Sequence, residues 1–143
     1  MMVAFGGTLF SFQYLRYRTF KAHVHDLGLI TQSLWSTLQG EPFHNSINPT
    51  IGYSANYLGN HFSPGLALWV PFFALAPSPV TLLALQALGL ALGAWPLWLL
   101  LRDELPAGAA LALVATYLLQ PALWFAGLYD FHHETIAGSP GVI

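Results

Sequence analysis

Apolar side chains fill the second half of the chain in two long runs that a short charged segment separates. Between residues 62 and 129 the charged residues are Arg102, Asp103 and Glu104, which stand next to one another. A charged turn between two uncharged runs is typical of two membrane-spanning helices that fold back on each other. The pattern therefore predicts a transmembrane helical hairpin.

Both runs have the length that a membrane crossing requires. Residues 80–101 would form a helix of about 33 Å, and a hydrocarbon core is about 30 Å thick. Residues 105–129 are equally free of formal charge. Pro96 and Pro121 predict a kink in each helix. Positive-inside reasoning favours residues 102–104 as a cytoplasmic turn, because this turn carries the arginine of the hairpin.

A shorter apolar segment, residues 63–76, precedes the hairpin. Ser63 and Pro64 form a favourable helix start, a side-chain cap followed by a proline at the first helical position. The helix would be only about 20 Å long and contains Pro71. We interpret it as a re-entrant or interfacial helix, and a full crossing is the alternative.

Residues 27–39 show a helical periodicity with one apolar and one polar face. Asp26 precedes this segment as a candidate cap, and Gly40 follows it. The pattern predicts an amphipathic helix in the headgroup plane of a membrane, or alternatively a surface helix packed on protein. The apolar positions are Leu27, Ile30, Thr31, Leu34, Trp35 and Leu38, and the polar positions are Gln32, Ser33, Ser36, Thr37 and Gln39.

The remaining segments are assigned by their polarity. Residues 1–15 are apolar but too few to cross, and we interpret them as the end of a truncated first membrane helix. Residues 16–62 form a polar external loop, and residues 130–143 form a truncated external polar end. The predicted fold class is all-α integral membrane. We expect the chain to be a fragment that packs with the remaining helices of a longer chain.

Composition narrows the function mainly by exclusion. The chain is 55% hydrophobic and 7% charged, against about 25% charged for an ordinary soluble domain. A net charge of -2 argues against a nucleic-acid partner. Without cysteine there is no disulfide framework, thiolate nucleophile or zinc–thiolate site. The lipid bilayer is the expected partner, and the plasma (inner) membrane is the expected location.

Ionisable side chains gather in a few places. Outside the hairpin turn they include Arg16, Arg18, Lys21, His23, His25 and Asp26, then His44 and His61, then Asp130, His132, His133 and Glu134 after the hairpin. If residues 63–76 do not cross, His61 and His132 face the same compartment, and with a cytoplasmic hairpin turn that compartment is outside. If they do cross, the two histidines face opposite compartments. In the first arrangement, with both histidines outside, Arg16, Arg18 and Lys21 violate the positive-inside rule unless they bind a phosphate.

A series of short motifs covers nearly the whole chain. The motifs are Arg16, Phe20, Asp26-Leu27-Gly28, Gln32, Trp35, Gly40, His61-Phe62-Ser63-Pro64, Gln86, Pro121 and Phe131-His132-x-Glu134. In this order they resemble the DUF2079 family of predicted multi-span membrane proteins. That family looks like a distant relative of the GT-C glycosyltransferases.

This resemblance implies an enzyme that takes a sugar from a polyprenyl-phosphate donor at the outer membrane face. It carries the catalytic acidic residue of the first external loop onto Asp26. It carries the phosphate-binding residue that precedes a proline onto His61, near Pro64. The better-known relatives usually have lysine there, and a neutral histidine is a poorer phosphate partner.

Glycosyl transfer also sets its own requirements: a carboxylate that takes the acceptor proton, and a cation or metal that stabilises the departing phosphate. Asp26 can be that carboxylate, although a helix cap explains it equally well. Arg16 and Arg18 are candidates for binding a lipid phosphate, or for contacting ordinary headgroups. His132 and Glu134 could bind the phosphate or a divalent metal ion, or could simply end a helix at the membrane surface.

Two other classes of function stay open. A transporter could use the histidines and carboxylates as a metal or proton relay. However, neither apolar run has an ionisable residue at its centre other than Tyr117. The third class is a non-catalytic membrane protein.

Overall fold

The computed structural model describes residues 1–22, 24–129 and 131. In these residues the fold is helical and contains no strand. The α-helices are α1 (Met2–Arg18), α2 (Val24–Leu38), α3 (Ile47–Thr50), α4 (Val70–Leu75), α5 (Pro79–Leu92), α6 (Ala94–Leu101), α7 (Ala107–Leu119) and α8 (Pro121–Tyr129). The prediction of an all-α fold with two long apolar helices is confirmed.

The first of these long helices is α5 followed by α6. Together they cover Pro79–Leu101, 23 residues that are long and apolar enough to cross a membrane. Helix α5 ends at Leu92, four residues before Pro96. Proline has no N–H to donate to the carbonyl of Leu92, and its ring crowds that carbonyl, so the helix is interrupted there.

The second long helix, Ala107–Tyr129, is interrupted near its middle. Gln120 is extended, with φ -60° and ψ 133°, because the ring of Pro121 disfavours a helical conformation in the preceding residue. The indole N–H of Trp124 donates a hydrogen bond of 3.0 Å to the carbonyl of Leu118. One carbonyl that the interruption leaves behind is therefore satisfied from within the same helix.

Contacts divide the chain into two compact units. Unit 1 joins Met1–Ala22 to Leu83–Ile143, and unit 2 is His23–Leu82. In unit 1, α1 packs against α8. A Cβ atom on Gly127 would lie 2.9 Å from Cδ2 of Leu9, so the glycine allows the two helices to approach closely. Leu9 is fully buried at this contact.

In unit 2, α2 packs against α4. Leu27, Ile30 and Leu34 are buried, as the periodicity predicts, but Ser33 is also fully buried and Trp35 is 52% exposed. The buried stripe of α2 is therefore rotated towards the small serine side chains, which fit beneath packed helices where an indole does not. Within unit 2, this packing agrees with the alternative of a helix packed on protein.

Two predicted helix caps are wrong. Helix α2 begins at Val24, so Asp26 lies in its first turn instead of preceding it. Ser63 stands at the start of a 3₁₀ helix, Pro64–Trp69, but its hydroxyl does not cap it. The segment predicted as one helix over 63–76 is this 3₁₀ helix followed by α4. Pro71 lies in the first turn of α4, a position that suits proline because the first helical N–H groups have no partner within the helix.

Asparagine side chains hold the loop that follows α2. Asn45 is fully buried, and its amide group donates to the carbonyl of Ala55 at 3.0 Å. Its side-chain oxygen accepts from the N–H of Asn48 at 2.9 Å. The amide of Asn60 donates to the carbonyl of Ser54 at 2.8 Å. The polar loop is thus folded on its own backbone.

Candidate functional site

Two buried glutamines join three helices inside unit 1. The amide nitrogen of Gln13, on α1, donates to Oε1 of Gln86, on α5, at 3.1 Å. The same nitrogen donates to the carbonyl of Gly127, on α8, at 2.8 Å. Gln13 is 3% exposed and Gln86 is fully buried. Within the described residues, Oε1 of Gln13 is buried and has no hydrogen-bond partner.

This amide contact aligns the three helices. Gln13 lies in the second half of α1, Gln86 lies in the first half of the long helix Pro79–Leu101, and Gly127 lies near the end of α8. Within unit 1, the second half of α1, the middle of α5 and the end of α8 therefore converge on this amide contact.

Arg16 and Arg18 stand at this end of α1. The guanidinium of half-buried Arg16 donates to the carbonyl of Lys21 at 3.3 Å. Arg18 is exposed, and its guanidinium lies 6.0 Å from the ring centroid of Tyr14. The cations complement the negative end of the helix dipole. The two arginines are thus held at defined positions at the end of α1.

Asp26 and His61 belong to unit 2. Asp26 is half-buried in the first turn of α2, where the helix dipole favours a carboxylate. His61 is exposed, its N–H donates to the carbonyl of Tyr57 at 2.9 Å, and its ring centroid lies 5.5 Å from that of Tyr57. This stacking gives the imidazole a defined position at the loop surface.

The predicted site is therefore placed only in part. Arg16 and Arg18 lie in one unit, and Asp26 and His61 lie in the other. His132 and Glu134, the predicted metal or phosphate ligands, fall outside the residues that the structure describes. Among the described residues, no group of three His, Cys, Asp or Glu side chains could hold a metal ion.

Gln13 is the residue that the sequence analysis missed. It is a polar side chain within an apolar segment, next to the first cluster of cations. A polar residue at membrane depth that faces other helices is usually there to form a hydrogen bond. That signal was present in the sequence, but its partner Gln86 lies 73 residues away.

One comparison with known proteins, against protein-family models, matches most of the chain. A sequence model of the DUF2079 family, described as a predicted membrane protein, matches residues 16–140. Searches of curated proteins and of solved structures each found no match. The predicted association with a membrane is supported by the family and by the two helices that are long enough to span one. The chain belongs to the DUF2079 family of predicted membrane proteins.

Proposed function

We propose that this chain is the membrane-embedded part of a GT-C type glycosyltransferase that uses a polyprenyl-phosphate-linked sugar at the outer face of the plasma membrane. One observation supports the proposal: the convergence of α1, α5 and α8 at Gln13 and Gln86. It supports one membrane face for the residues that follow α1 and those that precede α5, which bound the segment that bears Asp26 and His61. Divided between two faces, these residues could not form one site.

The same convergence bears on the short helix that precedes the hairpin. A chain that leaves α1 and returns to α5 at one face crosses the membrane an even number of times in between. Pro64–Leu75 is the shorter apolar helix in that interval. A single crossing by it would break this parity, which favours the re-entrant or interfacial interpretation.

The roles of the residues follow from the chemistry. Asp26 takes the proton of the acceptor hydroxyl, while Arg16, Arg18 and His61 stabilise the departing lipid phosphate. His132 and Glu134 are proposed to add a divalent metal ion or further hydrogen bonds to the phosphate. In this proposal the hairpin turn with Arg102 lies in the cytoplasm, as the positive-inside rule favours, and the site faces outside.

Sugar transfer by the full-length protein tests the role of Asp26. Asp26→Asn keeps the shape of the side chain but removes the base, so the rate of transfer from a polyprenyl-phosphate sugar should fall by roughly 10²–10⁴-fold. Glu41→Gln is a matched control, because Glu41 is an exposed carboxylate of the same segment. If Asp26→Asn transfers sugar at the wild-type rate, a non-catalytic protein is the better description.

Topology can be tested because the chain contains no cysteine. Single cysteines at positions 26, 61 and 103 are labelled in intact cells with a membrane-impermeant thiol reagent. Positions 26 and 61 should react and position 103 should not. Opposite labelling of positions 26 and 61 would rule out a shared site.

A further inference from the structure

We propose that the C-terminal turn of α1 is a binding surface for the phosphate groups of membrane lipids, anchored by an aromatic side chain. The surface, which we call the α1 turn, consists of Arg16, Arg18, Phe20 and Lys21. It extends the phosphate role proposed for the two arginines to bulk lipid. It does not depend on glycosyl transfer, and it would hold equally for a non-catalytic membrane protein.

The backbone of the α1 turn forms a Schellman motif. The N–H of Lys21 donates to the carbonyl of Arg16 at 2.8 Å, and the N–H of Phe20 donates to the carbonyl of Tyr17 at 3.2 Å. This pairing places Phe20 at the position that must adopt a left-handed conformation, and its φ is 55°. Glycine is the usual residue there, because a side chain is strained in that conformation.

Helix α2 ends in the same motif with the usual residue. The N–H of Glu41 donates to the carbonyl of Ser36 at 2.9 Å, and the N–H of Gly40 donates to the carbonyl of Thr37 at 3.2 Å. Gly40 holds the left-handed position with φ 90°. The two helices thus solve one geometric problem with a glycine and with a phenylalanine. Folding alone gives no reason to prefer the phenylalanine.

Burial among the residues that the structure describes does not explain Phe20 either. Its side chain is 91% exposed, so it gains almost nothing by burial. Phe43 has a comparable φ of 52°, but it is half-buried, and its N–H donates to the hydroxyl of Thr37 at 2.8 Å. The conformation of Phe43 is held by its surroundings. Among the described residues, no comparable environment surrounds the side chain of Phe20.

A membrane interface supplies that environment. Aromatic side chains partition into the headgroup region, and cations beside them attract anionic lipids. The carbonyls of Leu15, Arg16 and Tyr17 accept N–H groups of the turn itself, and the guanidinium of half-buried Arg16 donates to the carbonyl of Lys21. Arg18 and Lys21 are both exposed, one on each side of Phe20. This arrangement matches an anchored surface for lipid phosphate.

Native mass spectrometry of the full chain, released from nanodiscs, measures the lipids that it retains. With equal phosphatidylcholine and phosphatidylglycerol, the wild type should retain an excess of phosphatidylglycerol. That excess should fall about fivefold for each cation removed in Arg18→Gln and Lys21→Gln. Arg102→Gln is the matched control, because Arg102 lies in the hairpin turn and pairs with Asp103 at 3.4 Å. It should leave the excess unchanged.

Phe20→Gly separates the anchor from a structural role. Glycine relieves the left-handed strain, so the thermal midpoint should not fall, while retention of anionic lipid should. A lower midpoint together with wild-type retention would show that Phe20 serves the fold and would overturn the anchor.

Two further arms identify the source of the phosphate. Polyprenyl monophosphate in a phosphatidylcholine nanodisc tests the lipid donor, and millimolar inorganic phosphate tests a free ion. Retention of phosphatidylglycerol or of polyprenyl monophosphate supports the proposal. The lipid that is retained more strongly shows whether the phosphate comes from bulk headgroups or from the sugar donor. Displacement of both lipids by inorganic phosphate, or equal lipid retention by the wild type and the cation variants, would overturn it.

Discussion

The buried polar side chains of the two units have different structural roles. In unit 1, Gln13 bonds to groups that are 73 and 114 residues away in the sequence. In unit 2, Asn45 bonds to backbone groups only 3 and 10 residues away. In unit 1, the buried amide of Gln13 therefore aligns separate helices. In unit 2, the buried amide of Asn45 fixes the path of a single loop segment. A disturbance should spread through unit 1 and stay local in unit 2.

The largest effect is expected from Gly127→Val in unit 1. The new side chain would meet Leu9 at the α1–α8 contact. Its Cβ would also lie about 3.2 Å from the Cδ1 atom of Leu90. Overpacking of this kind costs about 3 kcal/mol at its upper end. Thermal unfolding in detergent micelles, followed by circular dichroism, measures the loss. Gly108→Ala is the control, because a Cβ there meets nothing within 4 Å.

Asn45→Ala should have the next largest effect, and it should be confined to unit 2. The substitution removes both side-chain hydrogen bonds of Asn45 and leaves the N–H of Asn48 without its acceptor, at a cost of about 2 kcal/mol. Limited proteolysis of the segment after α2 should speed up, with helix content unchanged. A comparable loss of helix content would contradict the local character of this network.

Gly40→Ala tests the end of α2 and should cost about 1 kcal/mol, because alanine is strained at φ 90°. Thermal unfolding in detergent micelles, followed by circular dichroism, measures this loss as well. Gly65→Ala is the control, since its Cβ would meet nothing within 4 Å and its backbone is not left-handed. Equal thermal midpoints for Gly40→Ala and Gly65→Ala would contradict the strain that a side chain is expected to have at the left-handed position.

Gln13→Leu should have the smallest effect, about 0.6 kcal/mol, which is the average for hydrogen bonds between membrane helices. The variant loses two hydrogen bonds, but it also removes the buried oxygen that has no partner among the described residues. Asn45→Ala has no such compensation, which sharpens the contrast between the units. A loss above about 3 kcal/mol would show that this oxygen is bonded in the membrane.

The charge pattern and the apolar runs predicted the two long helices, because the length and the composition of a run are local properties of the sequence. The single segment after Arg102 marked the hairpin, and Pro121 marked the interruption of the second span. The first turn of α2 was harder: Asp26 looked like a cap, but the helix begins at Val24. Propensities near a helix end are too weak to fix its first residue.

The candidate site was predictable only as single positions. Arg16 and Arg18 were candidates because they stand after an apolar segment, and His61 was a candidate because it belongs to a short motif. The bond between Gln13 and Gln86 was not predictable, because an amide carries no information about which distant amide it will meet. The exposure of Phe20 also escaped prediction, since its left-handed conformation depends on how α1 ends.

The bond between Trp124 and Leu118 also bears on how the protein enters a membrane. A carbonyl exposed to lipid at an interrupted span is costly, and in many proteins a neighbouring helix must arrive to cover it. Here the donor belongs to the same span as the acceptor and lies six residues away. The second span can therefore enter a membrane with this carbonyl already satisfied, and no other helix is needed to cover it.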